Sequence, residues 1–164
     1  MATRQIEAQR VSVTSKKPFE DVLAAFESTV GHPDGVAFQK SMLAAKTFAE
    51  VESIVHGAIG SSGVLEFGRF NIGEVLRKER GGSGPRILRL VIGNPLIMKE
   101  MVKHVPDAAS YAPVTILIDE RPDGVHLSYD RMASFLASYG SEEASKVARD
   151  LDAKIEAMMT AAAA

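Results

Sequence analysis

An α+β fold, a two-layer sandwich with a mostly antiparallel sheet and helices packed on one face, is predicted by three observations. Two alternating apolar segments, residues 114–120 and 125–130, are joined by a tight turn signal and read as a hairpin. Apolar stripes at helical spacing stand before and after that hairpin. Strands and helices do not alternate strictly along the chain, which disfavours a parallel sheet and favours an antiparallel one with one face covered. With 164 residues and 46% apolar content, the chain suits one hydrophobic core. A single domain over residues 1–164 is therefore expected.

Residues 9–14 read as a short first strand, with Val11 and Val13 on one face. A helix follows. Pro18 suits its first turn, Glu20 and Asp21 favour the positive end of its dipole, and Phe19, Val22, Leu23, Phe26 and Val30 form its buried stripe. Gly31 is expected to stop it in a left-handed conformation. Residues 34–59 read as one long second helix, capped by Asp34, with Phe38, Met42, Ala45, Phe48, Val51, Val55 and Ile59 along one side. Residues 63–76 carry glycines among Phe, Val, Ile and Leu, so they read as a strand with bulges. "RKERGGSGPR", residues 77–86, reads as a flexible loop before a clear strand at 86–92. A helix over residues 95–104 and a loop at 105–113 precede the hairpin. After it, Asp130 is expected to cap a short helix ending at Gly140, and Ser141 to cap a final helix bearing Val147, Leu151, Ile155 and Met158. The terminal alanines are expected to fray.

The segment "LVIGNPLIMKEM", residues 90–101, joins a strand to a helix through Gly93, Asn94 and Pro95. It lacks the glycine array of a dinucleotide site and the Gly-Lys-Ser/Thr end of a phosphate loop. Asn94 is a good N-cap and Pro95 fits the first helical position, so a structural role explains these residues. The competing reading places a carboxylate or phosphate at the free amides of this helix start, with Asn94 and Lys99 as contacts.

If residues 121–124 form a four-residue loop, apolar aligns with apolar: Asp119 opposite His126, Ile118 opposite Leu127, Ile116 opposite Tyr129; a two-residue loop is expected to keep the same faces but move the partners. Thr115, Asp119, His126 and Ser128 then share the face turned away from the core. Asp119 can orient or charge His126, which makes the two a candidate acid/base pair, with Ser128 as an assisting hydroxyl. The competing reading is an ordinary polar outer face of a sheet. Ser128 lacks the glycine-flanked elbow of a hydrolase nucleophile.

The four histidines, His32, His56, His104 and His126, lie in separate elements without zinc-ligand spacing, so no metal residue is assigned. Met98, Met101 and His104 recur at helical intervals, which raises a haem or metal cofactor as the least supported option beside plain core packing. The absence of cysteine excludes disulfides and thiolate chemistry within the chain. A net charge of -2 and few aromatics argue against nucleic acid as a partner. No apolar run reaches the ~20 residues needed to cross a bilayer, and residues 1–10 lack a signal-like apolar stretch. A cytoplasmic protein without membrane partners is expected.

"RILRLVIGNPLIMKEMVKHVPDAASYAPVTILIDERPDGVHLSYDRMASFL" resembles the domain of unknown function 302 family: a strand leads into a Gly-Asn-Pro turn and helix, then an apolar hairpin ends near a Ser-Tyr pair. The resemblance implies a compact fold of TATA-binding-protein-like topology, often assembled as a homodimer. It leaves a helical insertion around residues 34–62. Its motif falls on Gly93, Asn94, Pro95, Ser128 and Tyr129, of which Asn94 and Tyr129 have ligand-binding chemistry. A small-ligand-binding protein follows as the leading expectation, with a pocket between helices and sheet near Asn94 and Tyr129, covered by the extra helix. The alternatives are an enzyme built on Asp119 and His126, and a homodimeric structural or interaction protein.

Overall fold

A computed structural model describes residues 1–164. Five strands form one antiparallel sheet: β1 (Arg10–Ser15), β2 (Leu65–Asn71), β3 (Ile87–Gly93), β4 (Val114–Arg121) and β5 (Gly124–Asp130), in the order β1-β5-β4-β3-β2. Seven α-helices accompany it: α1 (Phe19–Glu27), α2 (Gly35–Ala44), α3 (Phe48–Ala58), α4 (Ile72–Glu79), α5 (Pro95–Val102), α6 (Met132–Leu136) and α7 (Glu142–Ala163).

The hairpin has the expected register, with Asp119 opposite His126 and Ile116 opposite Tyr129. Its ladder runs on to Arg121 opposite Gly124, so the expected four-residue loop is a two-residue turn, and the partners are the same because one further pair simply extends the ladder. Period-two alternation then sorts the faces. Leu88, Leu90 and Ile92 of β3, Val114, Ile116 and Ile118 of β4, and Val125, Leu127 and Tyr129 of β5 are buried on the inner face. They meet Phe19, Val22 and Phe26 of α1, Met101 of α5, and Ala144, Ala148, Leu151, Ile155 and Met159 of α7 in one core. Alanines on α7 let a helix of 22 residues lie close over the sheet.

Several local expectations are corrected. Gly31 has no positive φ. It is needed because a Cβ there would lie 1.9 Å from the Ala58 carbonyl oxygen, where the chain passes to bridge Leu65. The single helix over 34–59 is two helices, broken at Ala45 and restarted by Thr47, whose hydroxyl accepts from the Glu50 amide at 3.2 Å. The strand over 63–76 stops at Asn71, which caps α4 by accepting from the Glu74 amide. Its expected irregularity is present as a register shift between Glu66 and Gly68. Asp130 does not cap α6: it is held by Arg10, and the cap comes from Asp152 of α7. The terminal alanines are helical, with Ala162 buried and the Ala163 carbonyl accepting from the Ser15 hydroxyl at 2.7 Å.

Candidate functional site

A cavity of about 430 Å³ lies where α2, α5 and the β2–β3 edge converge. The Gly93-Asn94-Pro95 turn builds its floor. Asn94 takes an extended backbone, its Oδ1 accepts from the Leu96 amide at 2.8 Å, and its Nδ2 donates to the Gly63 carbonyl at 2.9 Å. One side chain thus caps α5 and ties it to the segment leading into β2. Gly93 packs closely on the cis-linked Pro113, where a Cβ would sit 3.2 Å away and push the ring by a few tenths of an ångström. The helix then turns Ile97, Met98 and Met101 toward the cavity, while Phe38 and Met42 of α2 close the opposite side. Phe67 of β2 meets Phe38 edge-on, with ring centroids 6.2 Å apart.

The lining is mainly apolar and soft. Flexible thioethers at Met42, Met98 and Met101 adapt to irregular shapes and contact aromatic rings favourably. Two of the polar side chains in the lining have other work: Asn94 uses both ends of its amide, and Glu66 accepts from the Arg69 guanidinium, while Gln39 of α2 stays uncharged. No buried polar side chain in the protein lacks a hydrogen-bond partner. Such walls offer shape and dispersion rather than charge.

The residues singled out from sequence fall in different places. Asn94 lines the cavity, as a cap whose amide is already engaged. Lys99 lies outside the lining; its ammonium pairs with Glu100 and sits 4.9 Å from the centre of the Phe48 ring. Tyr129 is also absent from this cavity. Its hydroxyl is buried in the core, donates to Asp152 Oδ1 at 2.5 Å and accepts from the Met132 amide at 3.2 Å. Burial, and then the Asp152 charge, pushes its pKa well above the ordinary phenol value.

Asp119, His126 and Ser128 lie on the outer sheet face, as alternation requires, yet only 8%, 9% and 5% of their surfaces are exposed. They do not form the expected acid/base pair. Asp119 accepts from the Arg121 guanidinium at 2.6 and 3.2 Å, and His126 Nε2 bonds Asp123 Oδ1 at 2.8 Å. Facing carboxylate and imidazole are each drawn to a partner nearer the turn. Ser128 shares a 2.9 Å hydrogen bond with Ser12 of the neighbouring strand. Met98 and Met101 do line the cavity, but no histidine does, so the cofactor option has no imidazole ligand there.

Helical spacing alone places Phe38, Met42, Met98 and Met101 on apolar stripes and assigns them to packing, and nothing in the sequence marks Phe67 as a lining residue. The available signal is the conjunction of methionines on two successive helical stripes, which sequence cannot show to face one another.

Sheet order and one helix-covered face define a class: two-layer α+β proteins with an open antiparallel sheet. The chain belongs to the family described as domain of unknown function DUF302, whose pattern matches residues 38–162. Its fold is similar to the crystal structure of an uncharacterised conserved DUF302 protein from Bacillus stearothermophilus, with a TM-score of 0.63 and 10% sequence identity over 93% of this chain and 97% of that one. No curated protein matches the chain. No helix is long and apolar enough to cross a membrane.

Proposed function

We propose that this protein binds a small, neutral and largely apolar molecule in the cavity between α2, α5 and the β2–β3 edge. The observation that carries this reading is the cavity of about 430 Å³, with Phe38, Met42, Phe67, Ile97 and Met98 around it. That volume lies within the range of about 300–1,000 Å³ typical of small-molecule sites. Charge has no engaging partner there, and burying an ion unpaired is costly, so a neutral ligand is favoured.

A neutral environment-sensitive dye, phenylnaphthylamine, tests the reading by fluorescence. Saturable binding is expected, and Met42→Trp should abolish it by filling the cavity from α2, a helix without a buried residue and therefore tolerant of the change. Binding that persists in Met42→Trp, or no saturable binding by the parent protein, would remove this function.

The same reading has the protein acting in the cytoplasm as a homodimer. Support for self-association comes from the open edge of β2 and the exposed Phe70, Ile72 and Val75 beside it, a surface suited to edge pairing. Sedimentation equilibrium should give a dimer mass, reduced to that of the monomer by Phe70→Glu. A monomer at high concentration would eliminate the assembly.

A further inference from the structure

A second cleft, about 270 Å³, opens near the outer face of the sheet, and it differs in chemistry from the first. Arg89 of β3, Thr115 and Leu117 of β4, and Ser128 of β5 contribute to it, while Tyr111 and Phe135 form its aromatic end. These two rings stack nearly parallel, with centroids 4.8 Å apart and an interplanar angle of 5°.

Arg89 differs from Arg10, the other arginine of the cleft. Other arginines, among them Arg10, Arg86 and Arg121, have a carboxylate within ion-pairing distance. Arg89 makes no ion pair. Its guanidinium donates to the Thr115 hydroxyl at 3.3 Å and lies 5.6 Å from the centre of the Phe70 ring, so it is steadied without being neutralised. Across the cleft, Asp130 is already neutralised by two hydrogen bonds from Arg10. The cleft therefore presents one uncompensated planar cation, hydroxyls at Thr115 and Ser128, and apolar surface at Leu117 and Phe135.

We infer that this outer cleft is a binding site for a small monocarboxylate with a flat apolar body, the carboxylate paired to Arg89 and the body laid toward Leu117 and Phe135. A guanidinium fork matches a carboxylate with two parallel hydrogen bonds, and the hydroxyls supply further donors. The modest volume suits a fragment-sized acid. Because Arg89 is exposed, the pairing is screened by salt. This site is independent of the α2–α5 cavity, and failure of either leaves the other standing.

Two-dimensional NMR of the intact protein, titrated separately with benzoate, benzamide and inorganic phosphate, tests the inference. Benzoate should move the amides of Arg89, Thr115 and Leu117, bind at least about tenfold more tightly than benzamide, and weaken as salt is raised. Arg89→Gln should lower benzoate affinity about tenfold with an otherwise unchanged spectrum, and Thr115→Val by a smaller factor. Arg4→Gln, a change outside the cleft, should leave binding intact. Equal binding of benzoate and benzamide, full affinity in Arg89→Gln, shifts that map elsewhere, or no binding would each overturn the site. Phosphate binding as tightly as benzoate would overturn the carboxylate class.

Discussion

Asp152 is the more deeply buried of the two buried carboxylates, Asp119 and Asp152. An aspartate with 5% of its surface exposed has replaced its water with three donors: the Tyr129 hydroxyl and the amides of Met132 and Ala133. Those amides open α6, where a helix leaves its first amides without backbone partners and its dipole also favours negative charge. Asp152→Ala strands the Tyr129 hydroxyl proton and the Ala133 amide and leaves the Met132 amide only its longer bond to the Tyr129 oxygen, and urea denaturation should show a loss of about 3 kcal/mol. Tyr129→Phe removes two bonds, the donation to Asp152 and the longer one accepted from the Met132 amide, but leaves Met132 paired to Asp152, and should cost about 1 kcal/mol. Since both act on one network, the double variant should lose less than the sum of the single losses. Gly31 is constrained by a different cause. Its absent Cβ leaves room for the Ala58 carbonyl, so Gly31→Ala should destabilise by about 3 kcal/mol, with no remedy from rotating a side chain because the obstruction is backbone.

At the scale of elements, α2 stands apart from the rest. It contains no buried residue and packs mainly beside α3, while the buried residues of α7 run from Ala144 to Ala162. A segment that buries little apolar surface opens at little cost, so amide hydrogen exchange should be fast throughout α2 and slow in α7. Uniform protection of both helices would contradict this ordering. The same contrast explains what could be read from the chain. The hairpin register is legible because period-two alternation and an even-length loop agree, leaving few ways to align Ile116 and Ile118 with Leu127 and Tyr129. The break between α2 and α3 has a signal, Thr47 followed by Glu50 at capping-box spacing, but an uninterrupted apolar stripe hides it. Asn71 and Glu74 announce α4 in the same way beneath a glycine pattern that suggests extended chain. The cap from Asp152 to α6 has no local signal, because its partners are 19 and 20 residues away and meet only after α7 packs. For the candidate site, Asn94 is legible as a cap, whereas the convergence of Phe38, Met42 and Phe67 depends on tertiary placement of α2.

Charge couples the whole molecule to pH through groups at opposite limits of the scale. Hydrogen bonds from the Arg86 guanidinium hold the Glu120 carboxyl below the usual range, and His126 does the same for Asp123. A depressed carboxyl pKa contributes stability that is present above the unfolded value, about 4, and is lost as pH falls through the folded value. Thermal melts followed by circular dichroism should therefore hold steady near neutrality and decline below about pH 4, with a shallower decline in Glu120→Gln. Tyr129 acts in the reverse direction. Its raised pKa means the native state retains the phenol proton more tightly than the unfolded chain, so its contribution is complete below the unfolded value of about 10 and drains away as pH climbs toward the folded one. Alkaline titration should show the Tyr129 phenolate absorbance appearing together with loss of the circular dichroism signal, because ionising it in place would set a second negative charge against Asp152. Tyr129→Phe should flatten the alkaline decline while lowering stability at neutral pH. An unchanged alkaline slope in that variant would show that the buried Tyr129–Asp152 contact does not govern base unfolding.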